Sequence, residues 1–164
     1  MREAIRLASA NVETGGGPFG AVIARDGEII ATGVNRVTAN CDPTAHAEVS
    51  AIRAAAQKLG TFNLSGCEIY SSCEPCPMCL GAIYWARLDR LFYGNTKADA
   101  ARIGFDDAFI YKELALPLSE RTLRAEQILG KEAIATFEAW EQKTDKQPYS
   151  QPGKGNSLPI KRTF

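Results

Sequence analysis

The sequence predicts a mixed α/β fold, a sheet with helices packed on its faces. Three observations carry this. Two apolar runs, Phe19–Arg25 and Glu28–Val34, flank Asp26-Gly27, a dipeptide suited to a tight hairpin. Long alanine-rich and apolar helical segments alternate with short β-prone runs. After Gly66 the order strand, helix, strand implies a parallel pair joined by a right-handed crossover.

The elements follow in order. Ile5, Ala8 and Val12 mark one face of an N-terminal helix, which Gly15-Gly16-Gly17-Pro18 ends. The hairpin comes next. Asp42 and Pro43 read as the N-cap and first position of an alanine-rich helix to Leu59, with Gly60 just past its end. Cys67–Ser71 is a short strand. Pro75-Cys76-Pro77-Met78-Cys79 opens a helix to about Trp85, and Leu88–Tyr93 is a strand. This places the two helices after the hairpin side by side on one face of the sheet. Residues 95–114 read as short helices around Gly104-Phe105-Asp106-Asp107. Leu123–Leu129 fits a strand or a loop. Lys131 to about Lys143 is a helix with Ile134, Phe137 and Trp140 on one stripe. After Pro148 the chain is polar and rich in proline and glycine, a composition expected of a disordered tail.

Composition narrows the function classes. The chain has 164 residues, 45% hydrophobic and 23% charged, enough for one domain with a proper core. Lysine plus arginine, 19, equals aspartate plus glutamate, 19, so there is no global basic field for a polyanion. No nucleic-acid partner is expected. No apolar run approaches the roughly 20 residues that cross a bilayer, and no signal peptide is evident. The expected compartment is the cytoplasm, with the five cysteines reduced.

Chemistry concentrates in two runs. His46-Ala47-Glu48 lies within Asp42–Glu48, and Pro75-Cys76-Pro77-Met78-Cys79 lies downstream. H-x-E followed by P-C-x-x-C is the pattern of the zinc nucleobase deaminases. His46, Cys76 and Cys79 offer three ligands to one zinc per chain and leave a fourth position for water, the catalytic arrangement. Zinc lowers the pKa of such a water to about 7. Cys76 and Cys79 share a helix face, and a helix start favours thiolate. His46 and Glu48, two apart, do not share one, so Glu48 must reach the water from beside the metal. Cys73 is the competing fourth thiolate. A zinc-stabilised binding module is the non-catalytic alternative, and Glu48 argues against it because zinc binding does not need that carboxylate.

The region from about residue 4 to Tyr149 resembles the bacterial guanine deaminases of the cytidine-deaminase superfamily. The resemblance rests on Gly16–Ala21, Asp42–Glu48, Ser72–Arg87 and Gly104–Asp107. It implies a three-layer α/β/α fold on a mixed five-stranded sheet, a deaminase domain over residues 1–149, and a tail, 150–164, without assigned role. It implies guanine converted to xanthine and ammonia, with zinc-activated water meeting C2 and Glu48 moving protons. By the same resemblance Asn35 binds the base, Phe19 stacks on it, and the Ala47 N–H donates to substrate oxygen. Asp107 is then the substrate-side carboxylate, with Asp106 the alternative. Tyr149 matches an aromatic that closes over the site. Trp85 reads as core. The expected partner is a small purine base, and the expected assembly a homodimer, with residues 95–149 candidates for exchange between chains. Deamination of cytosine, guanosine or ammeline is the nearest alternative, with tRNA adenosine deamination further off.

Overall fold

The computed structural model describes residues 1–150. The expected tail therefore lies, except for Ser150, outside the described residues. The described chain sorts into two compact units, Met1–Lys112 and a second beginning at Glu113.

The first unit holds helix α1 (Arg2–Glu13), strands β1 (Gly20–Arg25) and β2 (Glu28–Val34), a helical turn α2 (Val37–Asn40) and helix α3 (Ala47–Leu59). Strand β3 (Glu68–Cys73), helix α4 (Pro77–Ala86), strand β4 (Arg90–Asn95) and helices α5 (Lys97–Arg102) and α6 (Ala108–Ala115) follow, α6 running across the unit boundary. The sheet order is β2-β1-β3-β4. β1 runs antiparallel to both β2 and β3, and β3 and β4 are the expected parallel pair. Four strands are present among the described residues rather than five. Residues 124–128 form no strand.

Register settles the layers. Gly20 lies opposite Val34, and Ala21 opposite Gly33, so the two glycines face opposite sides of the sheet. A Cβ on Gly20 would come 2.4 Å from the Ala4 carbonyl of α1; one on Gly33 would come 2.2 Å from the Ala47 carbonyl of α3. So α1 covers one face and α3 the other, and α4 packs beside α3. The core between sheet and α3/α4 is Ala21, Ile23, Ile69, Leu64, Ile83 and the α3 alanines Ala47, Ala51 and Ala55. Each buried isoleucine or leucine there contributes about 1.5–3 kcal/mol. The alanines serve a second purpose: they let α3 lie close on the sheet.

Three local expectations are corrected. The buried face of α1 is Ala4, Ala8 and Asn11, while Ile5 and Val12 are about half exposed. Close approach to Gly20 admits only small side chains there. Helix α3 starts at Ala47 with His46 as N-cap, not at Pro43. The Asp42 carboxylate accepts from the Thr44 N–H (2.8 Å) and hydroxyl (2.7 Å), and this local turn replaces the helix start. Trp85 is not core: it is 56% exposed on the outer side of α4.

The second unit holds a 3₁₀ turn (Leu118–Glu120) and helix α7 (Gly130–Gln142). Glu113 accepts from the Thr122 N–H at 2.7 Å, and Arg121 donates to the Leu116 carbonyl at 3.0 Å. The α7 stripe of Ile134, Phe137 and Trp140 is exposed.

Candidate active site

Two helix starts and one strand build the site. His46 is the N-cap of α3, in extended backbone, so its ring leaves the helix axis while Ala47 and Glu48 occupy the first turn. Cys76 is the N-cap of α4 and Pro77 its first residue, where a missing N–H costs nothing. Cys79 falls on the first turn above it. The β1–β2 and β1–β3 pairings bring these two helix starts together.

His46 Nδ1 lies 3.5 Å from Cys76 Sγ and 3.4 Å from Cys79 Sγ. The three donor atoms lie within 4.8 Å of one another. A tetrahedral zinc with ordinary Zn–N and Zn–S bonds sets its N and S ligands about 3.5 Å apart, so this donor set fits zinc. Cys79 is fully buried and the other two are half-buried. Among protein groups alone, a hydrogen bond from Cys79 lowers Cys76 to about 4, with His46 adding to the effect. The same shared hydrogen, with burial, pushes Cys79 up. The Cys76 bond raises His46.

Cys73 is not part of this group. Its thiol donates to the Thr96 carbonyl at 3.6 Å, and burial, then the Glu48 charge, raise its pKa to about 11. Among the described residues the donor atoms that gather are those of His46, Cys76 and Cys79, without Cys73.

Glu48 is 6% exposed. The Ser71 hydroxyl donates to its Oε1 at 2.9 Å, and Cys79 Sγ lies 3.4 Å from its Oε2. Ser71 is the residue the sequence did not disclose. It sits on β3, opposite Ala21, facing α3, and it holds one carboxylate oxygen while the other stays beside the ligands. A serine at an inward position of β3, two residues from the buried Ile69, was the only signal.

The cavity beside these groups has a volume of about 470 Å³. Phe19, Asn35, His46, Ala47, Glu48 and Asp107 all line it. Asn35 is buried, and its Oδ1 accepts from the Val37 N–H at 3.3 Å. Phe19 meets Phe105 edge to face at 4.9 Å. Asp106 also lines the cavity, but its Oδ1 accepts from the Ala108 N–H at 2.9 Å, the capping role open to either aspartate. Asp107 is half-buried, and burial, then the nearby Cys76, raise its pKa. Tyr149, in the second unit, is 60% exposed.

An imidazole and two cysteine sulfurs at zinc-ligand spacing, beside a buried carboxylate and a cavity, fit the chemistry of a zinc-dependent deaminase. The chain belongs to the family described as the cytidine and deoxycytidylate deaminase zinc-binding region, whose model matches residues 1–95. It is 53% identical over 150 residues, 91% of this chain and 96% of the relative, to the guanine deaminase of Bacillus subtilis (strain 168). The X-ray structure of guanine deaminase from Bacillus subtilis superposes with a TM-score of 0.88, at 53% identity, over 91% of this chain and 96% of that one. The tRNA-specific adenosine deaminase of Aquifex aeolicus is 42% identical over 57% of this chain and 62% of its own length.

Proposed function

We propose that this protein hydrolyses the 2-amino group of guanine, giving xanthine and ammonia. One observation carries the reading: the cavity beside the metal ligands is lined at once by a proton-moving carboxylate, Glu48, an amide, Asn35, and a second carboxylate, Asp107. The relationship to the Bacillus subtilis guanine deaminase, which spans 91% of this chain, supports the same substrate.

Zinc held by His46, Cys76 and Cys79 supplies a Lewis acid that makes water nucleophilic at neutral pH. The chain's own groups do the rest. Glu48, steadied by Ser71, removes a proton from the attacking water, passes it to a ring nitrogen and assists the leaving amine. Asn35 and the Ala47 N–H donate to the 6-oxygen; Ala47 is the first residue of α3, so the helix does not use its N–H. Phe19 stacks on the base, and Asp107 accepts from its N–H groups. One Asp106 oxygen is turned to the Ala108 N–H, which favours Asp107 for the substrate role.

Cytosine has fewer donors and would leave Asp107 without a partner, at a cost of about 1–3 kcal/mol. Guanosine brings a ribose that the stacking face must admit. The zero net charge argues against a tRNA substrate. We infer a cytoplasmic homodimer in which residues 95–149 pack on or exchange with the partner chain; the exposed stripe on α7 supports this. No helix among the described residues is long and apolar enough to cross a membrane.

The test is ammonia release from guanine, cytosine, guanosine, ammeline and adenosine on one zinc-replete preparation. Guanine should lead in kcat/KM, by up to about 10⁴-fold where polar pairing discriminates. Equal rates on cytosine or adenosine would refute the purine assignment.

A further inference from the structure

Asn11 is the one buried polar residue of α1, only 4% exposed. Its amide nitrogen donates twice, to the Gly17 carbonyl at 2.8 Å and to the Asn35 carbonyl at 2.8 Å. Both acceptors belong to residues that line the cavity. One side chain on the outer helix thus ties together two segments of the cavity wall that the sequence separates by the whole β1–β2 hairpin. Gly17 completes the arrangement, because a Cβ there would come 3.0 Å from Asn35 Oδ1. The Val37 N–H occupies that same oxygen. Between these two neighbours the amide has one orientation open to it, with Oδ1 turned to the protein and Nδ2 left for a ligand.

We propose that Asn11 is a positioning residue. With Gly17, it clamps Asn35 so that its amide presents only a donor, and thereby selects a purine carrying an oxo group at position 6 over one carrying an amino group. This rests on the guanine reading of the site. A loosened Asn35 could turn its oxygen outward and accept from an amino group, so the clamp, rather than the amide alone, would set the preference.

The experiment compares kcat/KM for guanine and 2,6-diaminopurine, which differ at position 6 and in the N1 hydrogen that accompanies the 6-oxo group, in the wild type, Asn11→Ala and Gly17→Ala. Asn11→Ala removes both bonds, and Gly17→Ala presses on Oδ1 with Asn11 intact. Each should keep one zinc per chain and lower the guanine-to-diaminopurine ratio about tenfold or more, mainly through KM for guanine. A merely structural role would lower both substrates together, and that result, or an unchanged ratio, overturns the proposal. Should Asn11→Ala fail to fold, Gly17→Ala decides alone. Should wild-type protein leave guanine untouched, the guanine reading fails by itself. The clamp is then judged by hydrogen exchange of the Asn11 side-chain amide: slow exchange supports it, and exchange at the rate of a solvated amide overturns it.

Discussion

At the scale of single residues, Glu48 and Asp107 are distinguished by what holds them. Ser71 anchors one oxygen of Glu48, and Cys79 borders the other, so Glu48→Gln should keep the shape of the site and, on the proposed mechanism, lose the proton carrier. Metal analysis should still find one zinc per chain, while kcat falls about 10²–10⁴-fold. Asp107 is held by nothing comparable, and burial raises its pKa. Ionised, it is an acceptor only and the stronger partner for the base N–H groups. The acid limb of kcat/KM for guanine should therefore lie higher than an unshifted aspartate would place it, and Asp107→Asn should remove that limb along with most activity. The stability sign runs the other way. A raised carboxyl pKa favours the fold below the unfolded-state value, and that benefit is gone once pH rises through the folded-state value. At neutral pH the ionised group is a burden, so calorimetry on Asp107→Asn should show an equal or higher Tm. That His46, Cys76, Cys79 and Glu48 come together was legible in the sequence, because zinc chemistry calls for fixed residue types at fixed spacings. Ser71 and Asn11 were not, because nothing in a strand serine or a helix asparagine announces which distant group it will meet.

At the scale of elements, the site depends on how closely α3 lies on the sheet. The Gly33–Ala47 approach leaves no room for a methyl group. Gly33→Ala must push back the N-terminal turn of α3, which carries His46, Ala47 and Glu48. The expected cost is about 1–3 kcal/mol in urea unfolding, with zinc occupancy reduced in the folded protein. The α5 cap gives a contrasting case. Thr96 Oγ1 accepts from the Asp99 N–H at 3.2 Å, while Asp99 accepts from the Thr96 N–H at 2.9 Å. Thr96→Ala should cost about 1 kcal/mol by the same measurement without altering zinc content. The hairpin, the parallel crossover and α4 could be read from turn chemistry and apolar runs. The start of α3 could not, because Asp42-Pro43 satisfies the rules for a helix cap and those for a turn equally well, and Thr44 tips it to the turn. The buried face of α1 was misread for a related reason. Apolar periodicity marks what prefers burial, whereas close packing on Gly20 selects what is small.

At the scale of the whole molecule, the exposed α7 stripe and, on α4, Tyr84 at 66% and Trp85 at 56% exposure are apolar surface that a second copy of the chain could cover. Light scattering at micromolar concentration should give twice the chain mass; a monomeric mass would remove both the dimer and the exchanged segment. The layer order followed from the alternation of elements. The strand count did not. The resemblance called for five strands, while residues 124–128 carry no alternating apolar pattern, and no ladder forms there.

The route by which the ligands meet has a kinetic consequence. His46 stands after the first hairpin, and the two cysteines stand after β3, so only the β1–β3 pairing brings nitrogen and sulfur together. The metal therefore has no complete binding site in a chain that has formed its helices and hairpin but not that long-range ladder. Zinc should arrive late, after the rate-limiting assembly of the sheet. Stopped-flow refolding should then proceed at the same rate with or without the ion, while unfolding slows markedly when the ion is present.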